Sequence, residues 1–355
     1  MLNIRESISA YEDWLRSELG GEVVEKDLER KHAKMRDSPF VFLRASYWRW
    51  AETVLEICPE LAAAPALLAV GDIHLENFGT WRDADGRLVW GVNDFDEAAE
   101  MPYALDLLRL ATSALVADKH RGSAGEACAA ILKGYRQGLA NPLPVILERD
   151  RAWLRELVVV PEKDRAKFWR KIDGAALEAA PPRYLKVLAA AMPEPPLAIK
   201  TARRVAGAGS LGRPRWVGLL DNWRGGPVVR EAKALLVSSW YRMHAKAITR
   251  LSCAEIAGAR YRAPDPWYAV RDGIVVRRLS PNNRKIEAGD GVFSELSADM
   301  LEVMGVELAN VHLGGGDHRA AIIGDLDGRK EGWLAALAKK MAGATKADYQ
   351  EFCRG

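Results

Sequence analysis

Cysteine is sparse and unpaired in pattern: Cys58, Cys128, Cys253 and Cys353 are scattered over 355 residues. Such spacing excludes a disulfide framework and a paired-cysteine zinc site. Long apolar runs are missing too, so no segment has the length of a membrane span. Net charge is slight, 51 basic against 48 acidic residues for a formal +3. So even a balance gives no global reason to bind nucleic acid or an anionic membrane. Internal repeats and low-complexity stretches are lacking. The N-terminal "MLNIRESISAYEDWLRSELG" has the pattern of a charged amphipathic helix rather than a signal peptide, and a cytoplasmic protein is expected.

What is present is apolar residue, 49% of the chain, enough for a substantial core and two subdomains at this length. Into that background "VGDIHLENFGTW" (70–81) and "GVNDFDEAAE" (91–100) set Asp72, His74, Asn77, Asp94 and Asp96. Structural carboxylates are usually scattered over surfaces. These interrupt apolar runs of strand character, Leu67 to Val70 and Leu88 to Val92, which predicts that strands hold them close together.

The spacing predicts helix from Glu6 to Lys34 and again over "SPFVFLRASYWRWAETVL", where Ser38 before Pro39 makes the start. A strand into Gly71, a loop to Asn77 and a hairpin from "FGTWRD" through "DADG" to "RLVWGV" follow. From Pro102 to about Met192 the pattern is almost entirely helical, with Pro-Pro pairs at 181 and 195 marking loops. The segment 202–236 is Gly-rich, β-branched and basic, which predicts two or three antiparallel strands and a helix from near Leu235. A second strand pair, "WYAVRDGIVVRRLS", turns at Asp272-Gly273. Helix returns over "SADMLEVMGVELANVHLGGG" and from near Gly332 to Ala342.

Phosphoryl transfer from ATP needs a carboxylate to orient the attacking hydroxyl, an Asn and an Asp for magnesium, a cation on the inner phosphates and backbone N–H groups over them. Asp72 and Asn77 stand five apart, the spacing of the D-x-x-x-x-N catalytic loop of protein kinases, and Asp94 follows after a hairpin where that pattern places its metal-binding Asp. "GAGSLG", with Gly207, Gly209, Ser210 and Gly212, has the G-x-G-x-x-G form between strand-like runs, and small residues there let the backbone approach phosphate. Lys233 lies on the strand after it.

"GDIHLENFG" followed by "NDFDEA" resembles the H-G-D-x-H-x-x-N and D-[FW]-[DE] signatures of aminoglycoside and small-molecule phosphotransferases, relatives of protein kinases. "SPFVFLRA", "GDIHLENFG" and "NDFDE" together resemble a bacterial family, domain of unknown function 2252, in pieces from Ser38 to Leu313. The resemblance implies Asp72 as catalytic base and Asn77 and Asp94 as magnesium ligands, with Asp96 a further ligand or an orienter of the loop.

In an ordinary kinase the Gly-rich loop precedes the catalytic loop. Here it follows, and the order from turn to hinge to the helix ending "ELANVHLGGG" reproduces kinase order from its start. The expected fold is therefore α+β and protein-kinase-like, with two lobes and a circular permutation, tolerable because chain ends of a compact domain often lie close together. Residues 1–69 would be an N-terminal helical segment and 70–200 a helical lobe carrying the catalytic and metal loops. Residues 201–290 would be a β-rich nucleotide lobe, and 291–355 helices completing the helical lobe.

Each part also has a plainer explanation. G-x-G-x-x-G alone marks tight turns in many β-rich segments. Strand alternation puts Glu231 and Lys233 on one face and Val228, Arg230 and Ala232 on the other, so Arg230 is an alternative phosphate cation, with Val228 beneath the adenine. Asp94 and Asp96 would repel without a cation, and a divalent metal resolves that; the rival is a capping or salt-bridged pair facing Arg109 or Arg44. His74 would touch phosphate or substrate, or hold Asp72 in place from inside the loop. Glu255 would partner Lys233 or end a solvated helix. Glu97 suits a helix start. Asp106 and Arg109 suit a structural pair behind the metal loop, and His312 suits packing. Trp48, Trp50 and Trp81 would line a pocket if they are not core.

The expected function is ATP-dependent phosphotransfer, with Mg²⁺ or Mn²⁺, to a hydroxyl of a small-molecule acceptor, with neither nucleic acid nor membrane as partner. Three rivals use the same residues. One is adenylyl transfer in the same cleft, and another a nucleotide-binding pseudokinase scaffold. The third is a two-metal phosphohydrolase ligated by Asp72, His74, Asp94 and Asp96.

Overall fold

A computed structural model of the chain describes residues 2–117, 122–194, 198–245, 247–248, 250–285 and 297–354. The Pro-Pro pair at 195 and the boundary drawn at 290 lie outside the described residues. The chain opens with α1 (Ile4–Leu19), α2 (Glu25–Met35), α3 (Pro39–Ala45) and α4 (Tyr47–Ile57). Asn3 and Glu6 form a capping box that starts α1, and Ser38 caps α3 with Pro39 in its first turn. The single helix expected over 38–55 is two helices, because the chain breaks at Ser46, whose hydroxyl bonds back to the Phe42 carbonyl.

Strands β1 (Ala66–Ala69), β2 (Phe78–Arg82), β3 (Leu88–Val92) and β4 (Ala99–Pro102) come next, then helices α5 (Ala104–Val116) and α6 (Ala124–Ala140). The expected helical stretch to Met192 is interrupted by β5 (Val145–Ile146), which pairs with β3. It resumes in α7 (Ala152–Leu157), α8 (Glu162–Asp173) and α9 (Pro182–Ala190). After them lie β6 (Lys200–Arg203), β7 (Arg215–Trp223), β8 (Gly226–Ala234), α10 (Ser239–His244), α11 (Cys253–Ala257), β9 (Ala269–Arg271) and β10 (Ile274–Leu279). The helix expected from Leu235 begins only at Ser239, where the Ser238 hydroxyl caps it. Helices α12 (Ala298–Gly314), α13 (Arg319–Gly328) and α14 (Trp333–Cys353) finish the chain; α13 is additional to the expected elements, and α14 runs well past Ala342.

The architecture is mixed α+β with small sheets. β1 and β4 pair antiparallel, β3 lies between β2 and β5, and a five-stranded antiparallel sheet has the order β6-β7-β8-β10-β9. Asp272 and Gly273 both take positive φ, 51° and 70°, which makes the two-residue turn between β9 and β10 that the sequence signals. No helix among the described residues is long and apolar enough to cross a membrane.

The main core forms around α5, which is apolar on nearly every side and almost fully buried. α6 and α12 cross so closely that only glycine fits. A Cβ on Gly134 would lie 1.8 Å from the Glu302 carbonyl oxygen, and one on Gly305 would lie 2.2 Å from that of Ile131. Gly134→Ala should therefore cost at least about 1–3 kcal/mol as the helices are forced apart. Urea denaturation measures it, and a loss no larger than that of an alanine at the unencumbered Gly343 would contradict this packing.

Candidate functional site

The turn that follows β1 is held from behind. The Asp106 carboxylate on α5 accepts hydrogen bonds from the Val70 and Gly71 amides at 2.7 and 2.9 Å. Gly71 has φ +78°, and a Cβ there would meet the Glu97 carbonyl at 2.3 Å. One turn along α5, Arg109 donates from Nε to Asp72 at 3.2 Å and from Nη2 to the Leu43 carbonyl at 2.9 Å. Its guanidinium lies over the Tyr47 and Trp50 rings. Asp106 and Arg109 thus each grip the loop rather than each other. Burial raises the Asp72 carboxyl above its ordinary value, and Arg109 opposes the rise.

Asn77 fastens this loop to the next. Its Nδ2 donates to the carbonyls of Asp72 (3.1 Å) and Asp94 (2.9 Å), and its Oδ1 accepts from the Asp94 amide at 3.0 Å. Asp94 and Asp96 follow β3 in a loop rather than on a continued strand. Between their carboxylates sits Lys233 of β8, 3.3 Å from Asp94 and 2.5 Å from Asp96, with Arg213 3.6 Å from Asp96. Burial alone would push Asp94 up, but Lys233, with Arg277 and Arg215 beyond, holds it well below the usual carboxylate range. Asp96, buried and facing the charge of Asp94, is raised.

The Gly-rich turn folds over the acidic loops. A Cβ on Gly209 would be 3.0 Å from the Arg44 carbonyl and 3.5 Å from Asp72 Oδ2. Gly207, Gly209 and Ser210 line, together with Asp72, Asn77 and Asp94, a cavity of about 600 Å³. Gly212 does not; its φ of +95° and its missing Cβ make room for Leu28, 2.4 Å from where a Cβ would stand. Three further expectations are corrected by placement. Arg230 points away from the cavity, bonded to the Ala191 carbonyl and stacked over Trp267, as the alternation along β8 requires. Glu255 pairs with Arg250 at the exposed end of α11, while Lys233 is taken by Asp94 and Asp96. Trp48 and Trp81 line the cavity, whereas Trp50 packs behind Arg109.

His74 is buried, accepts from the Glu76 amide through Nδ1 at 3.2 Å, and is held neutral by burial and by Arg44, Lys285 and Arg109. Glu97, expected at a helix start, instead joins three elements: it pairs with Arg213 at 2.9 Å and accepts from the Ser239 amide at 2.6 Å, while its carbonyl accepts from Ser238. His312 is more than packing, since Nε2 meets Asp106 at 3.0 Å and Nδ1 meets the Tyr135 hydroxyl at 2.7 Å.

Among the described residues no group of three or more His, Cys, Asp or Glu side chains is placed to hold a metal ion. Magnesium usually takes one or two carboxylates and completes its shell with water and phosphate oxygens. Asp94, which opens onto the cavity, and the second lone pair of Asn77 Oδ1 are oxygen donors of that kind. Asp96, enclosed by Lys233 and Arg213, is not.

Lys31 of α2 is a residue that sequence patterning passes over as helix surface. It is 1% exposed, lies over the rings of Tyr11 and Trp48, and donates to the Gly209 carbonyl at 3.0 Å. Burial, with Arg213 nearby, lowers its pKa to about 7. A lysine charged up to about 10.5 when unfolded but only to about 7 when folded makes stability rise with pH between those values. In Lys31→Met that rise should disappear from denaturation curves taken across the interval; an unchanged pH dependence would show that the amine is not desolvated.

The chain belongs to the bacterial domain-of-unknown-function 2252 family, described as uncharacterized protein conserved in bacteria, which matches residues 23–160 and 197–355. No curated protein and no solved structure matches it.

Proposed function

We propose that the protein is a kinase-like phosphotransferase that moves a phosphoryl group from ATP to a hydroxyl of a small molecule, on a circularly permuted kinase-like fold. The observation that carries the reading is the meeting of the glycine turn, the acidic loops and Lys233. A glycine turn that follows the first strand of a five-stranded sheet lies over Asp72, and a lysine on the third strand of that sheet reaches Asp94. In protein kinases, too, the Gly-rich loop covers the phosphates and the lysine stands on the third strand. In chain order the acidic loops here come first, so the permutation belongs to the proposal.

Each group has a role. Asp72, its pKa raised by burial and its carboxylate oriented by Arg109, accepts the proton of the acceptor hydroxyl. His74, neutral and bonded within the loop, positions it. The Gly207–Ser210 backbone receives phosphate oxygens, and Lys233, buried between Asp94 and Asp96, holds those carboxylates in place. Asp94 and Asn77 would hold magnesium, which when bound neutralises charge on the phosphates. The two-metal hydrolase is less well supported, because Asp72 is paired with Arg109 and Asp96 is enclosed by Lys233 and Arg213, so that of these three carboxylates Asp94 alone is open to a cation.

The test pairs binding with turnover. A thermal-shift titration with ATP should raise the melting temperature with Mg²⁺ or Mn²⁺ and less without. γ-Labelled ATP incubated with panels of aminoglycosides, sugars and amino alcohols should then yield a product carrying a phosphoryl group. An adenylyl increment in the product's mass would replace the phosphotransferase reading with nucleotidyl transfer. Binding without turnover, unaffected at Asp72, would replace it with a scaffold.

A further inference from the structure

On the same face of β8 as Lys233, two residues before it, stands Glu231, buried and gripped by three arginines. Arg215 reaches it at 2.8 Å and Arg277 at 2.7 Å, and Arg204 closes on its other oxygen. Glu231 itself is 1% exposed, whereas Arg204, Arg215 and Arg277 all line the cavity. Three guanidiniums on one carboxylate leave two positive charges in excess. Counted together with Lys233 and Arg213 and with the acids that face them, Asp94, Asp96 and Glu97, the cluster keeps one positive charge in excess.

The wall is continuous with the glycine turn, because Arg215 Nη2 donates to Ser210 Oγ at 2.6 Å. Arg213, 4% exposed, lines the same cavity, with Nη1 3.6 Å from Asp96 and Nη2 2.9 Å from Glu97. A nucleobase wants a flat apolar slot, and this strand face offers charge instead.

We infer that Arg204, Arg215 and Arg277 form a binding wall for the phosphate chain of an oligophosphate, so that phosphates rather than a nucleobase lie along this face of β8. The inference rests on the proposed phosphotransferase reading, in which β6 to β8 and the glycine turn are the donor side. Guanidinium forks bind phosphate oxygens bidentately, and the buried Glu231 fixes three of them in advance, so little ordering is left for binding. The donor is thereby selected by its phosphates, and its base contributes little.

The experiment compares magnesium salts of ATP, GTP, AMP and inorganic tripolyphosphate by calorimetry and thermal shift on the full chain. Tripolyphosphate and GTP should bind within about tenfold of ATP, and AMP more than about a hundredfold more weakly. Arg204→Gln and Arg277→Gln should each weaken ATP and tripolyphosphate alike, by about tenfold. Since either variant could misfold, the unaltered protein supplies its own control: tripolyphosphate affinity should fall steeply as salt is raised. If ATP binds but tripolyphosphate does not, or if AMP matches ATP, the wall is overturned while the phosphotransferase reading stands. If tripolyphosphate binds and no transfer is found with any acceptor, the wall stands and that reading fails. If no triphosphate binds, both fall.

Discussion

Asp72→Asn should lower turnover of ATP by about 10²- to 10⁴-fold, the range over which a positioned general base acts, while ATP still raises the melting temperature. The amide keeps an oxygen for Arg109, which donates to Asp72 and to the Leu43 carbonyl, so the loop stays in place. What is lost is the capacity to take a proton. In the unaltered protein, burial raises the Asp72 pKa, and activity should fall as pH drops through that raised value. Stability carries the opposite dependence. A carboxyl whose folded pKa exceeds its unfolded one leaves the native state holding more protons, so its contribution declines as pH rises from 3.8 through the folded value. Both dependences should vanish in Asp72→Asn. A variant that binds ATP, folds normally and turns over at the original rate would remove Asp72 from the chemistry.

Much of this site is legible in the sequence because its chemistry sits in short, local patterns. Asp72, His74 and Asn77 fall within one loop, Asp94 and Asp96 within another, and a single hairpin joins them, so their meeting needs no long-range inference. The alternation along β8 likewise puts Lys233 and Arg230 on opposite faces by residue spacing alone. What local pattern does not carry is pairing at a distance. Kinase order alone matches Glu255 to Lys233, whereas the actual partners of Lys233, Asp94 and Asp96, lie more than 130 residues earlier. Gly212 belongs to the same motif as Gly209, yet one glycine faces Asp72 and the other an N-terminal helix, because only the fold decides which side of a turn is open. Lys31 is the extreme case. Within α2 it is one lysine among many charges, and only the stacking of Tyr11 on Trp48 and the approach of Gly209 make it a buried pin. The fold divides in the same way: strong caps and the Asp272-Gly273 turn are written in neighbouring residues, while β5 exists only because β3 offers it an edge.

Asp106→Ala should be the most destabilising single change at the site. Its carboxylate is fully buried and serves three donors: the Val70 amide, the Gly71 amide and, through Nε2, His312, which is itself held by the Tyr135 hydroxyl. Truncation strands two backbone N–H groups and an imidazole in the apolar core, each costing about 1–3 kcal/mol, so a loss of about 3–5 kcal/mol is expected, with partial relaxation allowed for. Domains commonly hold only about 5–15 kcal/mol, so the variant should unfold at markedly lower urea. Asp106→Asn should fare little better, since its amide nitrogen would point a donor at donors. Tyr135→Phe provides the contrast: it removes only the outermost bond and should cost about 1 kcal/mol. A double-mutant cycle between positions 106 and 135 tests whether they act as one network, because coupled members lose less together than the sum of their separate losses. The functional stake is the position of Gly71, whose amide Asp106 holds and whose neighbour is Asp72. If Asp106→Asn kept full stability, the turn that presents Asp72 would have to be held by something other than this chain of buried hydrogen bonds.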